Sequence, residues 1–144
     1  MSRSCLRFFA RLKNGIQPAG LWVIGRKPST NPDVEFLWPS ALPYGGTFHG
    51  KEAVEWSATW NPLQPTAAER KMDPRVIGAD DHQVVILYHQ RGVSPSGERF
   101  DGEVIGLYEL RDFRLSRAQM FYFDEAALVR FLDRAANELK QAKH

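Results

Sequence analysis

The sequence predicts an α+β domain: a helix, a strand and a second helix, then a run of hairpin-linked strands and a closing helix. Three observations carry this. Runs rich in Val, Ile, Leu and aromatic residues recur between residues 83 and 123, and turn-forming segments such as Ser94-Pro95-Ser96-Gly97 separate them. Connections that short join antiparallel strands. Apolar residues at helical spacing sit instead towards the two ends of the chain. Strands grouped apart from helices, rather than alternating with them, mark α+β.

The elements follow in order. Cys5, Phe8, Phe9, Leu12 and Ile16 keep the i, i+3, i+4, i+7, i+11 spacing of a helix, with Arg3, Arg7 and Arg11 opposite. Asn14-Gly15 is its natural stop. Pro18, Gly20, Gly25, Pro28 and Pro32 then break any long helix and leave Leu21 to Ile24 as a short apolar segment. Val34 to Trp38 reads as the first strand, closed by Pro39. Lys51 to Thr59 reads as a helix stopped by Asn61-Pro62. Four strands are expected next: Arg70 to Ile77; Gln83 to Gln90, entered through Gly78-Ala79-Asp80-Asp81; Arg99 to Leu110; and Leu115 to Phe123, after the tight turn Arg111 to Arg114. Asp124 is placed to cap the closing helix, whose apolar stripe is Leu128, Phe131, Leu132, Ala135 and Leu139.

A chain of 144 residues suits one domain spanning 1–144. Hydrophobic content of 43% and charged content of 25% are those of a soluble protein. The single cysteine, Cys5, excludes an intrachain disulfide framework and a cysteine-based zinc cluster, and a reducing cytoplasm is the expected location. Residues 1–32 hold six basic residues and no acid, against 13 basic and 17 acidic residues in the remainder. Such an end is either an amphipathic helix of the domain or a targeting or anion-binding arm. Nucleic acid is not an expected partner, because no stacking positions or reading motif accompany those charges. No apolar run approaches the ~20 residues of a membrane helix. His82 beside Asp80 and Asp81 is no metal site, since adjacent side chains in a turn diverge. No metal or cofactor is expected.

The segment Leu42-Pro43-Tyr44-Gly45-Gly46-Thr47-Phe48-His49-Gly50, running into Lys51 to Trp56, is the most informative stretch. Its glycines permit tight folding and close approach. It resembles the entry to a long helix in SnoaL-like proteins of the nuclear transport factor 2-like superfamily. Arg111-Asp112-Phe113-Arg114-Leu115 is similar to that family's turn of Arg-Asp-Gly-Lys-Ile type, with Phe113 in place of glycine. Phe121 to Leu128 is similar to its last strand entering a terminal helix. The resemblance covers roughly residues 33–133 and implies a strongly curved, mostly antiparallel sheet wrapped by helices around a central pocket, usually in a homodimer. In that family the zone of residues 16–32 carries short helices ending in an acidic pair, which this chain lacks.

Three enzyme types of the superfamily provide templates. A ketosteroid isomerase needs a carboxylate base near Phe36 to Trp38, a tyrosine near Phe8 or Phe9 and a second acid near Gly106, and none is present. A SnoaL-type cyclase needs an aspartate near Met120 and a histidine near Gly106, again absent. The Arg-x-Asp pair of limonene-epoxide-hydrolase-like proteins resembles Arg99-Phe100-Asp101, but their second aspartate falls on Phe121. Arg99, Asp101 and Glu103 share one strand face. They are either a catalytic charge pair in a pocket or a surface face near a hairpin turn. Candidate ligand-binding residues are Trp38, Tyr44, His49, Trp56, His89 and Gln119, and His89 is also a candidate proton shuttle beside Gln119. For His89 the other reading is a hydrogen-bonded core or edge residue; for Tyr44 and His49 it is loop surface.

The expected function is a pocket protein that binds a small, largely hydrophobic molecule, with catalysis undecided between none and cofactor-free acid–base isomerase, cyclase or hydrolase chemistry. The alternative is a non-catalytic ligand-binding or dimerisation module, with an aromatic face such as Phe121 and Phe123, or Met120 and Tyr122, forming the contact.

Overall fold

Alternation decides the sheet. Along Gln83–Val93 every second side chain from Val84 to Gly92 is buried while those between stay partly exposed, and Arg99–Arg111 repeats the pattern from Val104. Side chains of a strand point to opposite faces in turn, so one face must meet a core. A computed structural model of the protein describes residues 30–112 and 114–143. The expected N-terminal helix, its arginine stripe, Cys5 and Leu21 to Ile24 lie outside the described residues.

The described residues form strands β1 (Thr30–Trp38), β2 (Gly46–His49), β3 (Arg75–Ala79), β4 (Gln83–Val93), β5 (Arg99–Arg111) and β6 (Arg114–Tyr122), and helices α1 (Val54–Trp60), α2 (Ala67–Arg70) and α3 (Glu125–Ala142). The strands make one curved sheet in the order β2-β1-β6-β5-β4-β3. Every pairing is antiparallel except β1 with β6, which is parallel.

Two segments differ from expectation. The glycine segment is more than a loop: Gly46–His49 doubles back as a strand on β1, pairing Trp38 with Gly46 and Glu35 with His49. The reversal needs its glycines, because a Cβ on Gly45 would lie 2.2 Å from the Pro39 carbonyl oxygen and Gly46 has φ of +117°. Of the strand expected over Arg70 to Ile77 only Arg75 to Ile77 is strand, within β3, while Arg70 ends α2. Thr66 and Glu69 form a capping box that starts α2, with the Thr66 Oγ1 accepting from Ala68 N at 3.3 Å and the Glu69 carboxylate accepting from Thr66 N at 2.9 Å.

The core lies between the inner face of the sheet and helices α1 and α3. Trp56 and Trp60 project from α1, and Leu128, Phe131, Leu132 and Ala135 from α3. An aromatic series runs through it, from Phe36 and Trp38 past Tyr44, Trp56 and Trp60 to Phe131 and Phe100, each ring 5.4–6.5 Å from the next. Each such buried ring contributes about 2–3 kcal/mol of burial. Asp124 caps α3 as expected, accepting from Ala127 N at 3.0 Å. Among the described residues no helix is long and apolar enough to cross a membrane.

Candidate functional site

The inner face of the sheet gathers hydroxyl groups on strands whose inward side chains, among the described residues, carry no charge. Tyr88 on β4, Val104 on β5 and Tyr122 on β6 stand in one row, and Ile86, Gly106 and Met120 in the next. Tyr108, one row further, folds its ring over Gly106, where a Cβ would sit 2.2 Å from the Tyr108 hydroxyl oxygen. Gly106 is therefore the space that brings the Tyr108 hydroxyl back towards Tyr88, with which it interacts. Tyr44 reaches the same place from the glycine segment. Its Oη accepts from Trp60 Nε1 at 3.0 Å and lies 3.1 Å from Tyr122 Oη.

Burial dominates the ionisation of these phenols. It pushes Tyr44 up to about 12, only partly offset by its contacts with Tyr122 and Trp60, and it raises Tyr88, Tyr108 and Tyr122 as well. All remain neutral donors across the physiological range. Next to Tyr88 on the inner face stands Gln90, which is 2% exposed and whose Nε2 has no hydrogen-bond partner among the described residues. A buried amide without a partner among the described residues is unusual and calls for an acceptor outside them.

Trp60, Tyr44 and Tyr122 supply three donor protons to two mutual contacts. Whichever way the Tyr44–Tyr122 bond runs, one of their hydroxyl protons points beyond the pair, where the Tyr88 and Tyr108 oxygens are neighbouring acceptors, while Gln90 Nε2 has no acceptor among the described residues. Among the described residues the inward rows of the sheet carry no carboxylate, histidine, lysine or arginine. The arrangement donates hydrogen bonds, and it can polarise an oxygen without transferring a proton to a base.

The outer face is the reverse. Arg99, Asp101 and Glu103 lie on it, so the charge pair expected for a pocket is exposed at the surface. Arg99, 74% exposed, meets Glu69 at 3.6 Å. Asp101 joins His89, Nδ1 to Oδ1 at 2.7 Å, and Arg91, whose Nε donates to Oδ2 at 3.0 Å. Both contacts hold the Asp101 carboxyl below its ordinary value, against the cost of partial desolvation. His89 and Gln119 do not meet: His89 is level with Glu103 and Gln119 with Leu107, four residues and two strands away. His49 is exposed and 3.9 Å from Glu35. The Asp80 carboxylate closes its own turn, accepting from His82 N and Gln83 N at 2.7 Å each.

Of the other expected ligand residues, Trp38, Tyr44 and Trp56 come together in the aromatic series. Trp38 and Gln119 also line a cleft of about 350 Å³ where β1 parts from β6, with Leu37, Thr47, Met120 and Phe121. Tyr88, Gln90, Tyr108, Tyr122 and Trp60 were not expected as a site. The signal was parity: Tyr88 and Gln90 continue the buried series Val84, Ile86, and His89 between them must face outward. Among the described residues no three His, Cys, Asp or Glu side chains are grouped to hold a metal ion.

No protein-family model matches the chain, and no curated protein matches it. Solved structures do. An NTF2-like protein of unknown function from Burkholderia pseudomallei K96243 superposes with a TM-score of 0.67 at 21% identity, over 92% of this chain and 98% of that one. TerC co-crystallised with polyporic acid gives 0.64 at 17% identity, over 90% and 95%. A protein from Jannaschia sp. CCS1 described as a putative SnoaL-like polyketide cyclase gives 0.62 at 18% identity, over 89% and 93%. Likeness at such identities speaks for the fold, and on it this chain has the SnoaL-like, nuclear transport factor 2-like fold, an α+β cone on a curved, mostly antiparallel sheet.

Proposed function

We propose that the chain binds a small, uncharged, largely apolar molecule against the inner face of its sheet, and that the tyrosine cluster and Gln90 recognise a hydrogen-bond-accepting oxygen on it. The observation that carries this is Gln90 Nε2, a buried donor with no partner among the described residues, standing beside neutral tyrosine hydroxyls. An unmet donor in low dielectric costs about 1–3 kcal/mol, which a carbonyl or ether oxygen returns on binding. An anion would lose its hydration without gaining a cation. Binding needs no base, whereas an acid–base step needs one that the inward rows do not supply among the described residues. Proteins of this fold have been crystallised with small molecules, TerC with polyporic acid and a ketosteroid isomerase-like protein from Catenulispora acidiphila with trimethylamine. The test is native mass spectrometry of the whole chain with 2-acetylnaphthalene and 2-ethylnaphthalene, which differ in the oxygen. The ketone should bind at least about tenfold more tightly, and Gln90→Leu should erase the difference. Equal binding of the two, or of neither, would refute the reading.

A specific observation on the outer face favours homodimerisation as a second property. Leu37, Gln119, Leu107 and Val85 form one row across four strands, and Phe121, Ile105 and Leu87 the next. On one side lies the ladder His49, Glu35, Arg117, Glu109 and Gln83, in which Arg117 bridges both glutamates at 3.1 and 3.8 Å. On the other lie Glu103, His89, Asp101 and Arg91. An apolar centre with a polar rim is the build of a protein interface, and Phe121 is 46% exposed.

A further inference from the structure

Strand β4 is longer than its partner at the edge. β3 covers it only from Val84 to Leu87, and beyond that point the edge would stand open. The segment from Asn61 to Pro74, which contains α2, lies over the remainder. His89 N donates to Met72 O at 2.7 Å, and Gln64 Nε2 donates to Arg91 O at 2.8 Å. At Gly92 the missing Cβ makes room for Trp60, whose Cζ3 would be 2.9 Å away, and for the Leu63 carbonyl. Leu63 and Met72 are buried in the core, so the segment roofs the part of β4 that holds Gln90.

One side chain ties the outer margin of this roof. Arg91 Nη1 donates to Lys71 O at 2.6 Å and meets Asp73 Oδ2 at 3.0 Å, while its Nε is anchored on Asp101. Asp73 has φ of +47°, a left-handed conformation that costs a non-glycine residue energy and persists only where contacts impose it. The pieces are a strap with a hydrophobic underside, two hydrogen bonds to the β4 backbone, a strained residue at its end and a charged clasp over that residue. An interior donor with no partner among the described residues, Gln90 Nε2, lies beneath it.

We propose that the segment Asn61 to Pro74 is a strap that opens to admit ligand to the inner face, and that Arg91 is its latch. This rests on the reading of the inner face as the ligand site. The strap differs from the β5–β6 hairpin in kind: a paired ladder with one register shift closes the hairpin, whereas two hydrogen bonds to β4, two buried side chains and the contacts of Arg91 hold the strap. Of these the Arg91 contacts alone are exposed at its outer margin next to Asp73. Releasing the clasp frees Asp73 from its strained conformation and leaves the β4 edge to water, so opening is local and leaves the rest of the sheet intact.

Arg91→Met keeps most of the aliphatic stem and removes the clasp. Amide hydrogen exchange of the whole chain without ligand should then show residues 62–74 exchanging about tenfold faster or more, with β5 and β6 unchanged. With 2-acetylnaphthalene as probe, followed by stopped-flow tryptophan fluorescence, association and dissociation rates should rise together by about tenfold, leaving Kd within about threefold. Arg117→Met, which removes two ion pairs from the far end of the outer face, should change neither readout. Unchanged exchange over 62–74 in Arg91→Met, or faster exchange throughout the chain, would overturn the latch. Faster exchange over 62–74 with no probe bound by the wild type would refute the ligand reading, and with it the gating role of the strap.

Discussion

All four tyrosines of the chain, Tyr44, Tyr88, Tyr108 and Tyr122, belong to the inner cluster, so an alkaline titration should find no ordinary phenol. Burial moves Tyr44 from its usual 10 up to about 12 and raises the other three too. A group whose folded pKa exceeds its unfolded one contributes stability that is fully present below the unfolded value and is lost as pH rises through the folded value. For Tyr44 the window is pH 10 to 12, and the loss is about 3 kcal/mol at about 1.4 kcal/mol per pH unit. Burial raises the other three phenols in the same direction, so each adds to that loss against the roughly 5–15 kcal/mol that holds a typical domain together. The fold should therefore give way before its tyrosines ionise in place. Phenolate absorbance should stay flat through pH 10 and then rise in one cooperative step, coincident with loss of far-ultraviolet circular dichroism. A phenolate signal worth one tyrosine or more near pH 10, with the dichroism unchanged, would show that a hydroxyl of the cluster is open to solvent and would refute the buried-cluster geometry.

Gly106→Ala should cost about 2 kcal/mol and lower the melting temperature by roughly 5–10 °C, because its Cβ would overlap the Tyr108 ring. In a Tyr108→Leu background the same change should cost less than half as much, a coupling that thermal melts of the double-mutant cycle measure directly. Tyr44→Phe removes the acceptor of Trp60 Nε1 and should cost about 1–3 kcal/mol by denaturant melts. Leu107→Glu places a carboxylate in the middle of the outer apolar row, and sedimentation velocity should show a dimer in the wild type and a monomer in the variant.

Much of the fold was legible because periodicity is a local property. The hairpins of β4, β5 and β6 and the capped terminal helix follow from alternation and turn chemistry within a few residues. Strand β2 was not legible as a strand: four residues between glycines carry too little pattern, and only pairing with Glu35 to Trp38 makes them one. The division of Arg70 to Ile77 was legible in principle, through Thr66 and Glu69, a capping box hidden behind Gln64-Pro65. The parallel pairing of β1 with β6 joins residues about eighty positions apart, which no local signal announces.

The candidate site was less legible for a reason that strand geometry supplies. A search for chemistry in a sequence is drawn to groups that titrate near neutrality, and here it led to Arg99, Asp101 and His89. Burying an isolated charge costs several kcal/mol, so on a half-buried strand the charged residues take the outward parity, and those three did. The inward parity went to tyrosines, a glutamine and the glycines that make room for rings. Gly106 illustrates the inversion. It stands close to where the ketosteroid isomerase and SnoaL cyclase templates place an acid or a histidine, and its lack of a side chain is what brings a neutral hydroxyl there instead. In this fold a charged residue at that position and a tyrosine folded over a glycine are exclusive occupants of one volume. Replacing Gly106 by aspartate would therefore displace Tyr108 before it added a base, and recovering acid–base chemistry would require changing both positions together.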